Sequence, residues 1–551
     1  MGSDLYRSRG WWQWERLDQL ALAGAAAYPG KCALIDGERR MTHTELATAV
    51  DRAAAGLRRL GIARGDRVLL QLPNGLEFVV VLLALCRIGA PAVLATPALR
   101  EHELDRIAAA VEPVAMVVPR RARRFDHLAL ARRLRATHES IRLLLLTGEG
   151  ECRQGEYALE PALLTGPPLE AALAGPAQES GPLAGPAVAQ ASEPPAPSDV
   201  ALLLHSSGTT GPPKLVPRTH EDYGCLIRTA REVAGVSADT VYLAVLPMAH
   251  TFTLSNPGVI GTLAAGGTVV ATTPDDPRQA LRDIERLGVT HSSIVPTLLG
   301  QWLAVMRDEP HDTGSLRVLQ VGGAKVEPAI ALEARKSLGC GLQQVYGMSE
   351  GLVCMTRLDD PEETAVSTQG RPISPGDEIR VVTGSGESAD PGTPGELLAR
   401  GPYTATGYFR DPEATARAFT GDSFYRTGDL VSVDRAGNVS VVGRLKNVIN
   451  RGGEKICAEE LEAMAAEHPA VAAAAAVAMP HPAYGEAVCL YLALLPGAGG
   501  VDLLELRRYL QQRGIARFKL PERVEVLDEL PSIGIGKVDR RSLRAMASET
   551  S

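Results

Sequence analysis

The chain has 551 residues, 45% hydrophobic and 22% charged, with 57 Lys and Arg against 65 Asp and Glu for a net charge of −8. That length predicts more than one domain. The acidic balance excludes a protein held to nucleic acid or an anionic membrane by its overall field. The eight cysteines form no Cys-x-x-Cys pair and have no His at metal-ligand spacing, so zinc and dithiol motifs are excluded and reduced, mostly buried thiols are expected.

The N-terminus, with Arg7, Arg9, Trp11, Trp12 and Trp14, carries no apolar run of signal-peptide type. Thr42 and Glu45 form a capping box for a helix whose apolar face is Leu46, Val50, Leu57 and Leu60, stopped by Gly61. Residues 68–72 read as a buried strand, followed by an amphipathic helix and a second strand over 92–95, the pattern of a parallel sheet covered by helices. The most hydrophobic stretch, 78–95, is interrupted by Arg87 and Gly89-Ala90-Pro91 and is too short to span a bilayer. A cytoplasmic protein with no membrane segment is expected.

Residues 165–198 shift to Pro, Gly, Ala and Ser and read as an irregular surface insertion. Strands are then predicted at 201–204, 241–245, 268–271, 293–295 and 317–321, and shorter strands with Gly-rich turns from 378 to 442. From about 447 the pattern returns to mixed α/β; its clearest helix starts at Asp502, carries Leu503, Leu506 and Leu510 on one face, and ends at Gly514. Gly384-Ser-Gly386 lacks the third glycine and the following helix of a dinucleotide loop, which argues against a dehydrogenase.

The segment carrying the most chemistry is His205-Ser-Ser-Gly-Thr-Thr-Gly-Pro-Pro-Lys214, placed directly after a predicted strand. Gly208 and Gly211 let backbone N–H groups turn toward an anion. Ser206, Ser207, Thr209 and Thr210 add hydroxyl donors, and Lys214 adds a full charge, as a triphosphate requires. The Gly-Lys-Ser/Thr ending of a Walker loop is absent. Read alone, the other candidates stay open: Asp429 as a turn carboxylate, Arg444 as a surface ion pair, Tyr346 as a half-buried core ring, and Lys537 as a solvated lysine.

Five segments in order resemble the adenylate-forming superfamily of acyl- and aryl-CoA synthetases, peptide-synthetase adenylation domains and luciferases. They are the 205–214 loop, Tyr346-Gly-Met-Ser-Glu350, Tyr425-Arg-Thr-Gly-Asp429, Gly443-Arg444-Leu-Lys446 and Gly534-Ile-Gly-Lys537. The resemblance implies an α/β fold with a large N-terminal domain over 1–443, built of parallel α/β sheets and a β-rich subdomain. A hinge at 444–447 and a small mobile α+β domain over 448–551 complete it. It further implies ATP and Mg2+ as ligands. Asp429 and Arg444 hold the ribose, Glu350 and Thr210 the metal, and Tyr346 stacks on adenine, with Gly322, Gly323, Ala324, Val345, Gly347, Met348 and Ser349 around the nucleotide. Lys537 bridges carboxylate and α-phosphate, Lys446 is the swivel, and Gly452, Gly453 and Lys455 line the approach of a phosphopantetheine arm.

Within the superfamily the chain resembles the stand-alone ligases that activate 2,3-dihydroxybenzoate or salicylate. The likeness is carried by Lys214-Leu-Val-Pro-Arg-Thr-His220, Leu319-Gln-Val-Gly-Gly-Ala-Lys325, Gln343-Gln344, Thr356-Arg-Leu-Asp-Asp360 and Asn450-Arg-Gly-Gly-Glu-Lys455. It implies an acid pocket at His250, Thr251, Phe252, Asn256, Val321, Gly322 and Ser349, with His250 at its rim near the carboxylate. Thr251 stands where those ligases usually carry Asn, and Asn256 where they carry Ser or Cys. The expected substrate is therefore an aryl or heteroaryl acid with a rearranged polar group: a hydroxypicolinate, an aminobenzoate or a differently hydroxylated benzoate. Packing for Phe252 and a turn before Pro257 for Asn256 stay open as plain structural roles. No carrier segment follows Lys537, so a holo carrier protein is expected to act in trans, with free coenzyme A the alternative acceptor. Arg507, Arg508, Arg513, Arg540 and Arg541 are a candidate face for an acidic carrier or simply a solvated surface.

Overall fold

The computed structural model describes residues 2–159, 194–206, 214–272, 276–383, 386–445, 447–533 and 537–549. Of the insertion expected at 165–198, only 194–198 fall inside these ranges.

Nine strands form the largest sheet, in the order Arg371–Pro372, Gly351–Met355, Gly341–Met348, Val318–Gly322, His291–Ile294, Val241–Ala244, Thr268–Ala271, Cys32–Asp36 and Arg39–Thr42. Its middle is parallel and its two ends antiparallel. The second sheet runs Lys214–Thr219, Val200–Ser206, Ala92–Leu94, Val68–Leu70, Ala115–Pro119, Leu143–Thr147 and Glu156–Ala158, parallel except for its first pair. Strands such as Val68–Leu70 and Ala92–Leu94 are buried along their whole length, as runs with no polar alternation must be.

The helix Leu76–Ile88 fills the space between the two sheets. Apart from Arg87 every residue in it is buried, and its side chains share one apolar cluster with Leu70 and Leu94 of one sheet and Leu34 and Val269 of the other. Its 13 residues span about 20 Å at 1.5 Å per residue, so the hydrophobic stretch is a core helix. Among the described residues no helix is long and apolar enough to cross a membrane.

Several elements differ from their predicted bounds for identifiable reasons. The strand beginning at Val68 stops at Leu70, because the Gln71 amide turns to donate to Thr96 O and Leu99 O. The strand predicted at 293–295 is His291–Ile294. His291 and Ser292 hid it by being polar, yet both are buried with their side chains bonded to Ala234 O and Leu243 O. The helix begun by Thr42 is His43–Arg59, with Thr42 and Glu45 making the expected capping box, an arrangement that typically contributes about 1 kcal/mol.

Four antiparallel strands, Glu378–Val382, Gly395–Arg400, Tyr425–Val433 and Val439–Arg444, form the β-rich part. The C-terminal part is a separate domain with its own sheet of Val448–Arg451, Glu454–Cys457, Val471–His481, Gly485–Leu494 and Arg523–Leu527. Ile449, Leu461, Leu490, Leu506 and Leu510 form its core. Its helix Leu503–Gln512 is capped by Asp502, which accepts from Glu505 N at 2.8 Å. Of the described cysteines, Cys86, Cys225, Cys340, Cys354 and Cys489 are buried, Cys32 half-buried and Cys152 exposed, and all are free thiols.

Candidate active site

The 205–214 segment joins the two strands of an antiparallel pair. Strands Val200–Ser206 and Lys214–Thr219 pair with Ser206 opposite Lys214, which pins both ends of the loop side by side. Ser207, Gly208, Thr209, Thr210 and Gly211 lie outside the described residues, as does the Ser206 side chain. Lys214 Nζ sits 4.9 Å above the Tyr408 ring. The Tyr408 hydroxyl donates to Glu350 Oε1 at 3.0 Å. Lys214, Tyr408 and Glu350 thus form one cluster at the loop end of that pair. Tyr408 had no motif to announce it.

Glu350 lies in the turn between Gly341–Met348 and Gly351–Met355, nearly buried, with its carbonyl accepting from Ala405 N at 2.7 Å. A hard carboxylate oxygen suits a magnesium ion, which takes most of its oxygens from phosphates and water. Among the described residues no cluster of three His, Cys, Asp or Glu offers a softer or more enclosed site.

Tyr346, Gly347 and Met348 end their strand beside Gly322, which pairs with Val345. The Tyr346 hydroxyl donates to Asp429 Oδ2 at 2.8 Å, and Asp429 N donates to Thr427 Oγ1 at 3.0 Å. Burial and the adjacent Asp429 carboxylate push the Tyr346 hydroxyl well above its ordinary range, so it remains a donor. Asp429 faces Arg444 across the strand register; the Arg444 side chain and all of Lys446 lie outside the described residues.

Gly322 is required by packing. A Cβ there would meet Val345 O at 2.8 Å and the Phe252 ring at 3.1 Å. Phe252 therefore packs its ring against Gly322, and its neighbours Thr251 and Asn256 are also buried. Val321 is buried, while Ala324 and Ser349 are half-buried at the edge. The Tyr223 hydroxyl lies 2.8 Å from Ser255 Oγ, which donates to Thr251 O at 2.9 Å. The Asn256 amide oxygen is buried without a protein partner among the described residues. The two departures from the usual ligase pattern are both buried, and Asn256 has an unmet acceptor.

His250 caps the short helix Thr251–Ser255, its Nδ1 accepting from Phe252 N at 3.2 Å. Its ring is open to water yet walled in by protein. That enclosure, with the nearby Lys455 ammonium and His205, holds the imidazole below its ordinary pKa and therefore neutral.

Lys455 reaches this region because the C-terminal hairpin enters it. Gly452 and Gly453, both at positive φ, form the turn between Val448–Arg451 and Glu454–Cys457. A Cβ on Gly453 would meet Val295 Cγ1 at 2.8 Å, and one on Gly452 would meet Thr297 Oγ1 at 3.1 Å. Asn450 Nδ2 donates to Gly323 O at 2.7 Å. Arg451 braces the turn by bonding Glu522 at 2.6 Å and lying 3.8 Å over the Tyr484 ring. Lys537 begins a two-residue strand paired with Ser532–Ile533, and the helix Arg540–Glu549 after it packs on the C-terminal sheet. Its side chain lies outside the described residues. The structure thus brings Lys214 and Glu350 together at Tyr408, Tyr346 to Asp429, Phe252 to Gly322, and the Gly452-Gly453 turn to Val295 and Gly323.

An α/β body of parallel sheets with a separate C-terminal domain that inserts a glycine turn is the fold of an adenylate-forming enzyme. Comparison with known proteins agrees: the chain matches the AMP-binding enzyme family over residues 22–409 and the AMP-binding enzyme C-terminal domain over 460–537. It belongs to the AMP-binding enzyme family and is a ligase of that family.

Its relatives include the 2-hydroxy-7-methoxy-5-methyl-1-naphthoate–CoA ligase of Streptomyces carzinostaticus, 44% identical over 547 residues, 99% of this chain and 96% of the relative. The salicyl-AMP ligase / salicyl-S-ArCP synthetase of Mycobacterium tuberculosis is 42% identical over 544 residues, 98% of this chain and 92% of the relative. The apo structure of Mycobacterium smegmatis MbtA superposes with a TM-score of 0.71 at 41% identity, covering 98% of this chain and 97% of that one.

Proposed function

We propose that the protein activates an aryl or heteroaryl carboxylic acid with ATP, giving an aryl-AMP and pyrophosphate. It then passes the aryl group to the phosphopantetheine thiol of a separate holo carrier protein. The observation that supports this is that Lys214 and Glu350 meet at Tyr408, while the hydrogen-bonded Tyr346–Asp429 pair stands next to Val345, which pairs with Gly322 against the Phe252 ring.

A carboxylate oxygen of the acid attacks the α-phosphorus and pyrophosphate leaves, so no side-chain nucleophile is needed. Lys214, the loop hydroxyls and backbone N–H groups balance the phosphate charge. Asp429 accepts from the ribose hydroxyls and Tyr346 stacks on adenine. Glu350, with Thr210, would hold magnesium, which when bound offsets phosphate charge and steadies the leaving group. Lys537 bridges carboxylate and α-phosphate in this half-reaction. In the second, the thiol attacks the acyl carbon and AMP leaves. We assign that step to the orientation seen here, with Gly452, Gly453 and Lys455 beside His250 and Gly323. The corresponding division of the chain is 1–443, a hinge at 444–447 around Lys446, and 448–551.

Asn256, buried with an unmet acceptor, favours an acid whose N–H or O–H donor is placed differently from that of 2,3-dihydroxybenzoate: a hydroxypicolinate, an aminobenzoate or a differently hydroxylated benzoate. Pyrophosphate exchange across a panel of such acids tests the assignment; highest kcat/KM with plain 2,3-dihydroxybenzoate would overturn it. The name of the naphthoate relative favours a second reading, transfer to free coenzyme A. Thioester formation with coenzyme A against holo carrier proteins decides between them.

A further inference from the structure

We propose that Arg218 is the positioning residue for the Glu350 carboxylate, a buried guanidinium that clamps the two backbone segments between which Glu350 is held. The inference rests on reading Glu350 as the divalent-cation ligand.

Arg218 is fully buried. A buried guanidinium is tolerated only where its charge is paired and its N–H groups are bonded. The pairing comes from Asp222, which accepts from Arg218 Nε at 3.0 Å. Asp222 is itself fixed, because its other oxygen accepts from Thr219 N at 2.9 Å in the capping box of the helix His220–Val233. The two remaining nitrogens spend their N–H groups on neutral carbonyls: Nη1 donates to Ser349 O at 3.0 Å and Nη2 to Tyr403 O at 2.8 Å.

Those carbonyls are not arbitrary. Ser349 immediately precedes Glu350. Tyr403 begins the segment that meets Glu350 twice more, through Ala405 N on its carbonyl at 2.7 Å and the Tyr408 hydroxyl on its carboxylate at 3.0 Å. One planar fork therefore fixes the spacing of both segments. Lys214 and Arg218 also share one strand four residues apart, hence one face. The cation facing Tyr408 and the cation bracing Glu350 are thus held by the same backbone. A lysine in place of Arg218 keeps the charge opposite Asp222 but presents no planar fork to reach two carbonyls.

The test is divalent-cation binding without turnover. Mn2+ is titrated into the full chain with α,β-methylene-ATP and followed by electron paramagnetic resonance, for wild type, Glu350→Gln, Arg218→Lys and the charge-neutral pair Arg218→Met with Asp222→Asn. Thermal unfolding of each variant is recorded alongside. R218K is expected to weaken Mn2+ binding about tenfold and to raise the Mg2+ half-saturation of pyrophosphate exchange by a similar factor. The aryl-acid KM should stay within about twofold, a split that general loss of packing would not produce. Weakened Mn2+ binding in E350Q with wild-type binding in R218K overturns the role of Arg218. Wild-type binding in E350Q overturns the metal assignment beneath it. If R218K does not fold, the neutral pair decides: a tenfold loss supports the clamp and wild-type affinity refutes it.

Discussion

The Tyr346 hydroxyl donates to Asp429 Oδ2 at 2.8 Å, joining the nine-stranded sheet to the four-stranded one across 83 residues of sequence. The bond holds the carboxylate at the edge of the ring that the reading places against adenine. The residues expected to grip base and ribose are therefore one mechanical unit. Tyr346→Phe keeps the ring and removes the donor, so it is expected to raise the KM for ATP about tenfold, the loss typical of a hydrogen bond to a charged group. Its effect on the aryl-acid KM should be small. Steady-state pyrophosphate exchange with each substrate varied measures both.

Gly453 faces Val295 at a distance that leaves no room for a Cβ, at a φ of +93° that other residues rarely adopt. Gly453→Ala is expected to keep the glycine turn out of the cleft. Thioester formation should fall by about two orders of magnitude or more, in line with a small misplacement at a reacting centre, while pyrophosphate exchange continues near the wild-type rate. Equal loss in both half-reactions would refute the assignment of the turn to the second step.

Glu460 on the C-terminal helix Ala458–Ala466 lies 3.2 Å from His102 and 3.4 Å from Arg106 of the large body, and accepts from Lys519 at 2.9 Å. Lys519 is also 3.3 Å from Glu103. Burial alone would raise the Glu460 pKa, but the bonds from His102 and Lys519 hold it down to about 2. Glu460→Gln removes the charge that joins the two parts in this orientation. It is expected to slow thioester formation about fivefold or more relative to pyrophosphate exchange, measured as the ratio of the two rates.

Burial lowers the pKa of His220 and His291 from 6.5 to about 4. The unfolded chain therefore takes up these protons first, and stability is full above pH 6.5 and lost as pH falls from there toward 4. Thermal midpoints should decline over that window. His220→Gln should shallow the decline. Because His250 is neutral at working pH, wild type and H250Q are expected to show pH–rate profiles of the same shape between pH 6.5 and 8; a new inflection in either would refute this.

The chemistry of this protein was legible because it resides in short motifs whose residue types are set by local need. A hydroxyl-rich loop with two glycines and Lys214 reads as an anion cradle in any context, and the two-glycine turn at 452–453 reads as a close backbone approach. Thr42, Asp502 and the apolar strands were equally plain, since capping and unbroken apolar runs are local properties.

What linear order did not reveal is what long-range packing supplies. Tyr408 carries no motif, and Arg218 was legible only as part of the 214–220 likeness, because each acquires its role only when segments far apart in the chain meet around Glu350. The sequence by itself determined the reaction class, from the charges and donors it must bring to phosphate. The tertiary structure alone decided which of those groups stand together, because a buried charge or hydroxyl takes its meaning from the partner that folding places within about 3 Å.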